Sequence, residues 1–542
     1  MSTKRLVGHI APRSTPQHMP IPGREDVMSR NAAGGYAFKV DDWQRLHRFL
    51  IIGSEGGTYY VDERTLTVDN AEVVRRCIKN DGVRTVQEIE RVSVNGLAPK
   101  NDPAIIALAM CAKLGNPTTR RAAYMAMPKV CRIGTHLFHF FEVADNLGGW
   151  GRGLRNAVKA WYHGDQERVA LQVVKYRQRD GWTHVDGIRL SHPKPTPLLN
   201  YVVGRGSPDG LPRIVQGYEK IKDVTDPKVA ANLITEYRLP RECVPSTLLN
   251  NAGVWEALLH DMPMTAMVRN LGKMTRAGLI KPMSDASKLV IARLSDVDQL
   301  HRSRIHPLQI LLAMKTYAQG SVSDAVAHQR RRHARFEDGT VHTWSPVQHV
   351  VSALDDAFYA SFKNVTPTGK RHLLAIDTSG SMTPSYGGGV GSLSLFEAAG
   401  AMALITANVE KDHVIIGVDT RVHDLRIHPR QRLDDVVKIL NLVDHGGTNM
   451  SLPYTWASEQ RMEFDAVVTY TDSETWQHGY SHPAQACADY RRSLNPKARA
   501  VVAAFTASAH SVGDVEDPLT LQCVGFDASL PVVISGFVGG EF

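Results

Sequence analysis

The sequence predicts a multidomain chain: a long all-α body of stacked helix pairs, followed by an α/β domain built as a doubly wound parallel sheet. Three observations carry that expectation. Helical periodicity runs from Asp41 to about Phe362, short apolar runs alternate with helices after Thr366, and the sign of the charge changes at the same place. A length of 542 residues exceeds what one hydrophobic core organises, so roughly two to four domains are expected on size alone.

Residues 1–35 hold Pro12, Pro16, Pro20, Pro22 and Gly34-Gly35 with little apolar periodicity, and read as an extended or mobile arm. Residues 36–365 form the helical body. Amphipathic segments at 104–114, 118–132, 135–146, 152–162 and 167–179 follow one another through short Gly, Asn or Pro loops with no strand between them. Such a series without a crisp repeat suggests an α-solenoid of the HEAT type. Residues 324–343 break the pattern with Arg330, Arg331, Arg332 and Arg335. A solvated loop is the plain reading of that insertion, and an RNA-contacting loop the alternative. Residues 366–542 change period: apolar runs at 372–377, 413–418, 466–471 and 500–505 alternate with helices near 395–410, 433–442 and 484–493. A ligand of such a sheet sits at the C-terminal strand ends.

Composition narrows the class. With 43% hydrophobic and 22% charged residues the chain is a folded globular protein. No run of about 18 apolar residues occurs, and the N-terminus lacks an apolar signal core, so a cytoplasmic protein without a membrane partner is expected. The six cysteines form no C-x-x-C pair, which fits buried thiols in a reducing compartment and argues against a zinc site. From Thr366 onward 13 Lys and Arg face 20 Asp and Glu, a net of −7, which leaves +15 for the rest of a +8 chain. A basic body attracts a polyanion, and the acidic part suits a cation or a different partner. A generic basic surface is the competing reading.

Two constellations carry chemistry. Asp377-Thr-Ser379-Gly-Ser381 follows the first strand directly, Gly446-Gly447-Thr448 follows the helix ending near Leu442, and Asp472 follows the strand ending at Thr471. Each fragment alone is an ordinary turn. Together, at the ends of strands of one sheet, their hydroxyls and carboxylates suit a hard divalent cation, Mg²⁺ above all. In the body, Lys175 and Arg179 are four apart and share a helix face, joined approximately by Arg177, with Trp182, His184, Arg189, His192 and Lys194 close behind. Cations neutralise phosphate and guanidinium planes stack on unpaired bases. A solvated basic helix with Trp182 in the core is the competing reading. No catalytic residues are expected: the motif offers hydroxyls and two aspartates rather than the clustered carboxylates of a metal nuclease, and no nucleophile elbow, phosphate loop or H-E-x-x-H is present.

Residues from about 370 onward resemble a von Willebrand factor A domain with a metal-ion-dependent adhesion site. The resemblance implies that Ser379, Ser381 and Thr448 bind the metal directly, that Asp377 and Asp472 act through water, and that one position stays open for an acidic group of a partner. His445 and Glu474 have no role in that pattern. In the body, Cys131-Arg-Ile-Gly-Thr-His-Leu137, Trp150-Gly-Arg-Gly-Leu154, Lys175-Tyr-Arg-Gln-Arg-Asp-Gly-Trp182, Arg189-Leu-Ser-His192, Arg269-Asn-Leu-Gly-Lys-Met274 and Pro367-Thr-Gly-Lys-Arg371 resemble the TROVE domain of the Ro autoantigen family. The likeness covers about residue 36 to the end.

What that family likeness implies is a HEAT-like monomeric ring closed through the metal domain. Its basic outer face would bind small noncoding Y-like RNA, and its hole would take single-stranded 3′ ends of misfolded RNA, in a ribonucleoprotein of RNA quality control or processing. The matching outer-surface residues are Lys175, Arg179 and His192; Arg177, Arg189 and Lys194 are charged neighbours. Bacterial relatives tether an exoribonuclease through the RNA, which makes such an enzyme a candidate partner. The long arm, the arginine insertion and the 387–391 loop beside the metal motif depart from the family pattern. A protein-interaction scaffold that grips an acidic partner through the metal, without RNA, is the competing function.

Overall fold

The computed structural model describes residues 15–30, 35–39, 42–52, 63–95, 98, 100–323, 341–383, 389–390, 393–472, 481–505, 510–514, 517–524 and 530–540. The chain forms two compact units. One gathers Met1–Arg48, Ser54–Asn70 and Val365–Phe542, and the other Phe49–Gly53 and Ala71–Asn364.

The second unit is helical. Asp102–Leu114 carries Pro103 in its first turn, where the missing N–H costs nothing, and buries most of its length against Pro117–Val130 and Gly134–Asn146. Asn116 starts Pro117–Val130 by accepting from the Thr119 N–H at 2.9 Å, and Asp165 starts Gln166–Lys175 by accepting from Arg168 at the same distance. Helix-on-helix packing continues through Arg213–Ile221, Pro227–Tyr237 and Ala252–Asp261, and again in Pro307–Ala318 against Gln348–Ala360. Buried Phe138, Phe140, Phe141, Trp161, Tyr162, Trp255 and Phe358 fill the space between the helices.

Two short hairpins interrupt the helices, which the periodicity did not foretell. The helix expected over 167–179 ends at Lys175, and Tyr176 leaves helical geometry at φ −123 and ψ 71. Gln178–Arg179 and Trp182–Thr183 then pair antiparallel around Asp180 and Gly181, whose φ values of 54 and 81 define a two-residue turn. Asp-Gly suits that turn because both positions need positive φ. Ser321–Ser323 and Val341–Thr343 pair in the same way on either side of the inserted segment. Arg330, Arg331, Arg332 and Arg335 lie outside the described residues.

The first unit is built on a six-stranded sheet in the order Val422–His423, His413–Val418, His372–Asp377, Ala466–Thr471, Arg499–Ala504, Thr520–Val524. All pairs are parallel except the edge strand Val422–His423. His372–Asp377 and Ala466–Thr471 are buried along their whole length, as strands covered on both faces must be. Leu395–Val409 begins with a Ser394–Glu397 capping box and is apolar nearly all round, which places it against the sheet. Chain order turns at His372–Asp377: its neighbours His413–Val418 and Ala466–Thr471 lie on opposite sides, so a crevice opens beyond its C-terminal end. The expected doubly wound fold is present, with the last strand, Thr520–Val524, unforeseen.

The segment expected to be an extended or mobile arm is, over its described residues, a folded part of this unit. Pro16 bridges Ser481, the Thr15 N–H donates to Gln485 Oε1 at 2.8 Å, and Gln17 is fully buried. Met28–Arg30 pairs with Tyr36–Lys39, which in turn pairs with His510–Ser511 to make a three-stranded sheet. Arg24 closes the attachment with a two-pronged pair to Asp514 at 3.1 and 3.2 Å. Prolines that suit no helix suit this edge, because neighbouring residues supply the backbone hydrogen bonds.

Candidate functional site

Three parallel strand ends bring the predicted metal residues together. Asp377 ends the central strand, Asp419 follows the adjacent Val418, and Asp472 follows Thr471 on the other side. Asp377 is completely buried and both its oxygens are engaged: Oδ1 accepts from the Ser379 N–H at 2.9 Å and Oδ2 from the Thr471 hydroxyl at 2.6 Å. The first of these bonds curls the loop, and the Ser379 and Ser381 hydroxyl oxygens come within 3.2 Å of each other. Burial and the neighbouring charge of Asp472 push the Asp377 carboxyl up to about 7, while hydrogen bonds from Ser379 and Thr471 oppose the rise. Two carboxylates in mutual repulsion beside paired hydroxyls make a pocket of negative potential.

The Thr448 loop is fastened to this site by a residue the sequence reading passed over. Asp419 Oδ2 accepts from the Gly446 N–H at 3.1 Å, and its backbone carbonyl from the Asn449 N–H at 2.9 Å. Gly380 then donates to the Gly446 carbonyl at 3.2 Å, joining the two loops. Glycine at 446 lets the loop come close, since a Cβ there would lie 2.8 Å from Thr420 Cγ2 and force the side chain to shift. Burial acts against the charge of Asp419, but the Arg421 N–H, the His423 ring and the Gly446 N–H together hold its carboxyl below the usual range. Applying the strand-end rule to the predicted run 413–418 would have found it. His445 holds the first loop from the same side, its Nδ1 lying 2.9 Å from the Thr378 carbonyl.

The candidate donors are all oxygens, from Ser379, Ser381, Thr448 and the two aspartates. Among the described residues no three His, Cys, Asp or Glu side chains gather as metal ligands. A cation in this crevice would therefore rest on hydroxyl oxygen and water, which is the chemistry of a hard divalent ion. Thr448 and Asp472 are nearly buried, so the site has low dielectric and repulsion between the carboxylates is poorly screened. The 387–391 loop falls largely outside the described residues; Gly389–Val390 pairs with Leu393–Ser394.

In the helical unit the candidate basic residues lie on three local elements rather than on one helix face. Lys175 ends its helix half-buried, Arg177 follows exposed, and Arg179 sits on the hairpin. Arg189 is in the last turn of His184–Ser191, His192 caps that helix in left-handed geometry at φ 54, and Lys194 follows; all three are exposed. The shared helix face expected for Lys175 and Arg179 is not formed, because the helix ends at Lys175 and Arg179 lies on a strand of the hairpin that follows. Arg179 lies 3.3 Å from Asp102, in an exposed pair that an anionic ligand can displace, and 3.6 Å from the half-buried Asp180.

Trp182 and His184, by contrast, are structural. Trp182 meets Phe141 edge-on at 5.7 Å and donates its indole N–H to Glu142 at 2.9 Å. His184 is a core residue: burial holds its pKa down to about 4, although the carbonyls of Gln172 and Tyr176 partly oppose this. Its ring also meets the Tyr162 hydroxyl at 2.9 Å.

The fold and its sites define a class: a helical body carrying an exposed basic cluster, joined in one chain to an α/β domain with an oxygen-lined strand-end crevice. Residues 29–223 and 238–370 match the TROVE domain family model, and residues 371–538 match the Ro60 vWA domain. The chain is 38% identical to the RNA-binding protein RO60 of Deinococcus radiodurans, covering 99% of this chain and 100% of that one. It is 31% identical to the RNA-binding protein RO60 of Caenorhabditis elegans, over 95% of this chain and 91% of the relative. The crystal structure of the Deinococcus radiodurans RO (RSR) protein superposes with a TM-score of 0.75 at 37% identity, covering 93% of this chain and 100% of that one. The chain belongs to the Ro family of TROVE and vWA domain proteins.

Proposed function

We propose that this protein binds RNA without catalysing a reaction on it, as a ribonucleoprotein component in RNA quality control or processing. The observation that carries the proposal is the exposed cluster of Arg177, Arg179, Arg189, His192 and Lys194, with Lys175 at its edge, on a unit of strong positive charge. The RNA-binding names of the relatives in Deinococcus and Caenorhabditis support the same reading. Lys175, Arg179 and His192 take a small structured noncoding RNA of the Y type, and single-stranded ends of misfolded RNA are a second ligand. An exoribonuclease brought in through the RNA is the proposed protein partner. No described helix is long and apolar enough to cross a membrane. The six cysteines are all free and buried, which supports the reducing cytoplasm as the proposed compartment.

In this reading the α/β unit holds Mg²⁺, with Ser379, Ser381 and Thr448 as direct ligands and Asp377 and Asp472 acting through water. The engagement of both Asp377 oxygens by Ser379 and Thr471 supports a role in holding the loop and its waters. The bound ion would supply an open coordination position for a partner's carboxylate. Ultraviolet crosslinking of the purified protein, followed by sequencing of attached RNA, tests the proposal. Small structured RNAs are expected on the native protein and strongly reduced on the Lys175→Ala/Arg179→Ala/His192→Ala variant. An equal yield from both proteins, or no RNA from either, would overturn it.

A further inference from the structure

The α/β unit holds a cavity of about 320 Å³ where the helices Leu452–Glu459 and Pro483–Ser493 meet the strands Ala466–Thr471 and Arg499–Ala504. Its walls are mostly apolar: Met450, Ala500, Val502 and Val512 line it and are buried, while Ala488 lines it from an exposed position and so marks its mouth. Thr469 lines the strand side. Val467, two residues earlier on the same strand, packs in one core with Tyr454, Cys487 and Ala500, so Thr469 faces the same way. Thr469 is only 3% exposed, and among the described residues its hydroxyl has no hydrogen-bond partner. A buried strand hydroxyl left unpaired and turned into a cavity is a group waiting for a ligand atom.

The charges around the cavity are already matched. Arg491 pairs with Asp517 and spends its other nitrogens on the carbonyls of Ala498 and Leu519, each at 2.8 Å. Asp517 also accepts from the Thr520 hydroxyl at 2.5 Å and the Leu519 N–H at 3.0 Å. Asp514, the remaining charged residue on the lining, is held by the two prongs of Arg24. The Tyr454 hydroxyl and the Cys487 thiol are hydrogen-bonded to each other, and burial pushes the thiol up to about 11 and the phenol well above its usual range, so both stay neutral.

These features select the occupant. A charged ligand would bring an unmatched ion into a space whose own charges are neutralised, at a heavy desolvation cost. A nucleotide, with its phosphate and polar base edges, fits these walls no better. Water needs two to four polar partners, and the walls offer the Thr469 hydroxyl amid apolar side chains. An uncharged, mostly apolar molecule gains by leaving water and can still satisfy Thr469. At roughly 30 Å³ for each water-sized group, the volume admits about ten of them. We infer that the cavity binds an uncharged, mostly apolar small molecule of about ten non-hydrogen atoms, a ring alcohol in type, with its oxygen on the Thr469 hydroxyl. The site is independent of the basic cluster and of the metal crevice, and gives the α/β unit a ligand of its own.

The test is isothermal titration calorimetry of the full chain with two probes, 2-naphthol and 2-naphthoate. The first is an uncharged ring alcohol of the required size, and the second puts a charged carboxylate in place of its hydroxyl. One molecule of 2-naphthol is expected to bind with a Kd of about 0.1 mM or below, and 2-naphthoate at least about tenfold more weakly. Thr469→Val keeps the shape of the side chain and removes its hydroxyl, and should weaken 2-naphthol about fivefold. Ala488→Trp sets a large ring at the mouth from an exposed helix position, and should abolish binding while the melting temperature holds. Should that variant fail to fold, Thr469→Val decides. No binding of 2-naphthol by the native chain, equal affinity for the two probes, or 2-naphthol affinity unmoved by the substitutions would overturn the assignment.

Discussion

Replacing Gln17 tests whether the N-terminal segment is a working part of the α/β unit. Its side chain is fully buried, and Nε2 donates to Asn449 Oδ1 at 2.7 Å and more weakly to the Ser481 carbonyl at 3.4 Å. Asn449 is the residue after Thr448, and its backbone N–H is bound to the Asp419 carbonyl. Gln17→Ala removes one good buried hydrogen bond, about 1 kcal/mol, and leaves a hole of four heavy atoms, for a total near 2–3 kcal/mol. Asn449 Oδ1 is not orphaned, since the Ser451 N–H and hydroxyl still donate to it at 3.1 and 2.7 Å. The loss should therefore fall on the docking of the segment and on the Thr448 loop, not on the whole sheet. Hydrogen exchange followed by mass spectrometry should show faster exchange at residues 15–39 and 445–451 with little change in 372–377, and Mg²⁺ affinity should fall by up to about tenfold. Unchanged exchange in both segments would refute the argument.

The other predictions follow from the same geometry. Saturating Mg²⁺ should raise the melting temperature of the native chain, with about 2.7 kcal/mol of added stability at a hundred times Kd, and Asp377→Ala should abolish the rise. Gly446→Ala forces a Cβ against Thr420 and should weaken Mg²⁺ binding without moving RNA affinity, as read by parallel calorimetric and anisotropy titrations. His184 is neutral and buried in the fold, with a pKa near 4, but takes a proton around 6.5 once unfolded. Its contribution is thus full above pH 6.5 and is lost as pH falls toward 4, up to about 3 kcal/mol. Urea titrations of His184→Asn between those limits should show a flatter pH dependence than the native chain; an identical slope would contradict the assignment.

Much of the fold was legible because its signals are local. The strand 372–377 is a continuous apolar run that delivers Asp377 into a five-residue motif, and the curl of that motif is made by its own Asp377–Ser379 bond. Hydrophobic periodicity likewise exposed the helices from 102 onward. It failed at Gln178–Arg179 and Trp182–Thr183, because two-residue strands are too short to alternate, although Asp180-Gly181 was a readable turn signal. The N-terminal segment was misread for a different reason. Thr15 and Gln17 find their partners 470 and 432 residues away, and nothing in a proline-rich stretch announces such pairing. Asp419 was readable, since it follows a predicted strand as directly as Asp377 and Asp472 do.

The most direct test of the central claim, RNA binding through the basic cluster, is a salt titration of the affinity of the full chain for a small structured RNA. With about five cations in contact with phosphate, log K should fall against log salt with a slope near −4, and Lys175→Ala/Arg179→Ala/His192→Ala should both weaken binding and flatten that slope by about 2. A native slope near zero, or a slope unchanged by the triple substitution, would contradict the account.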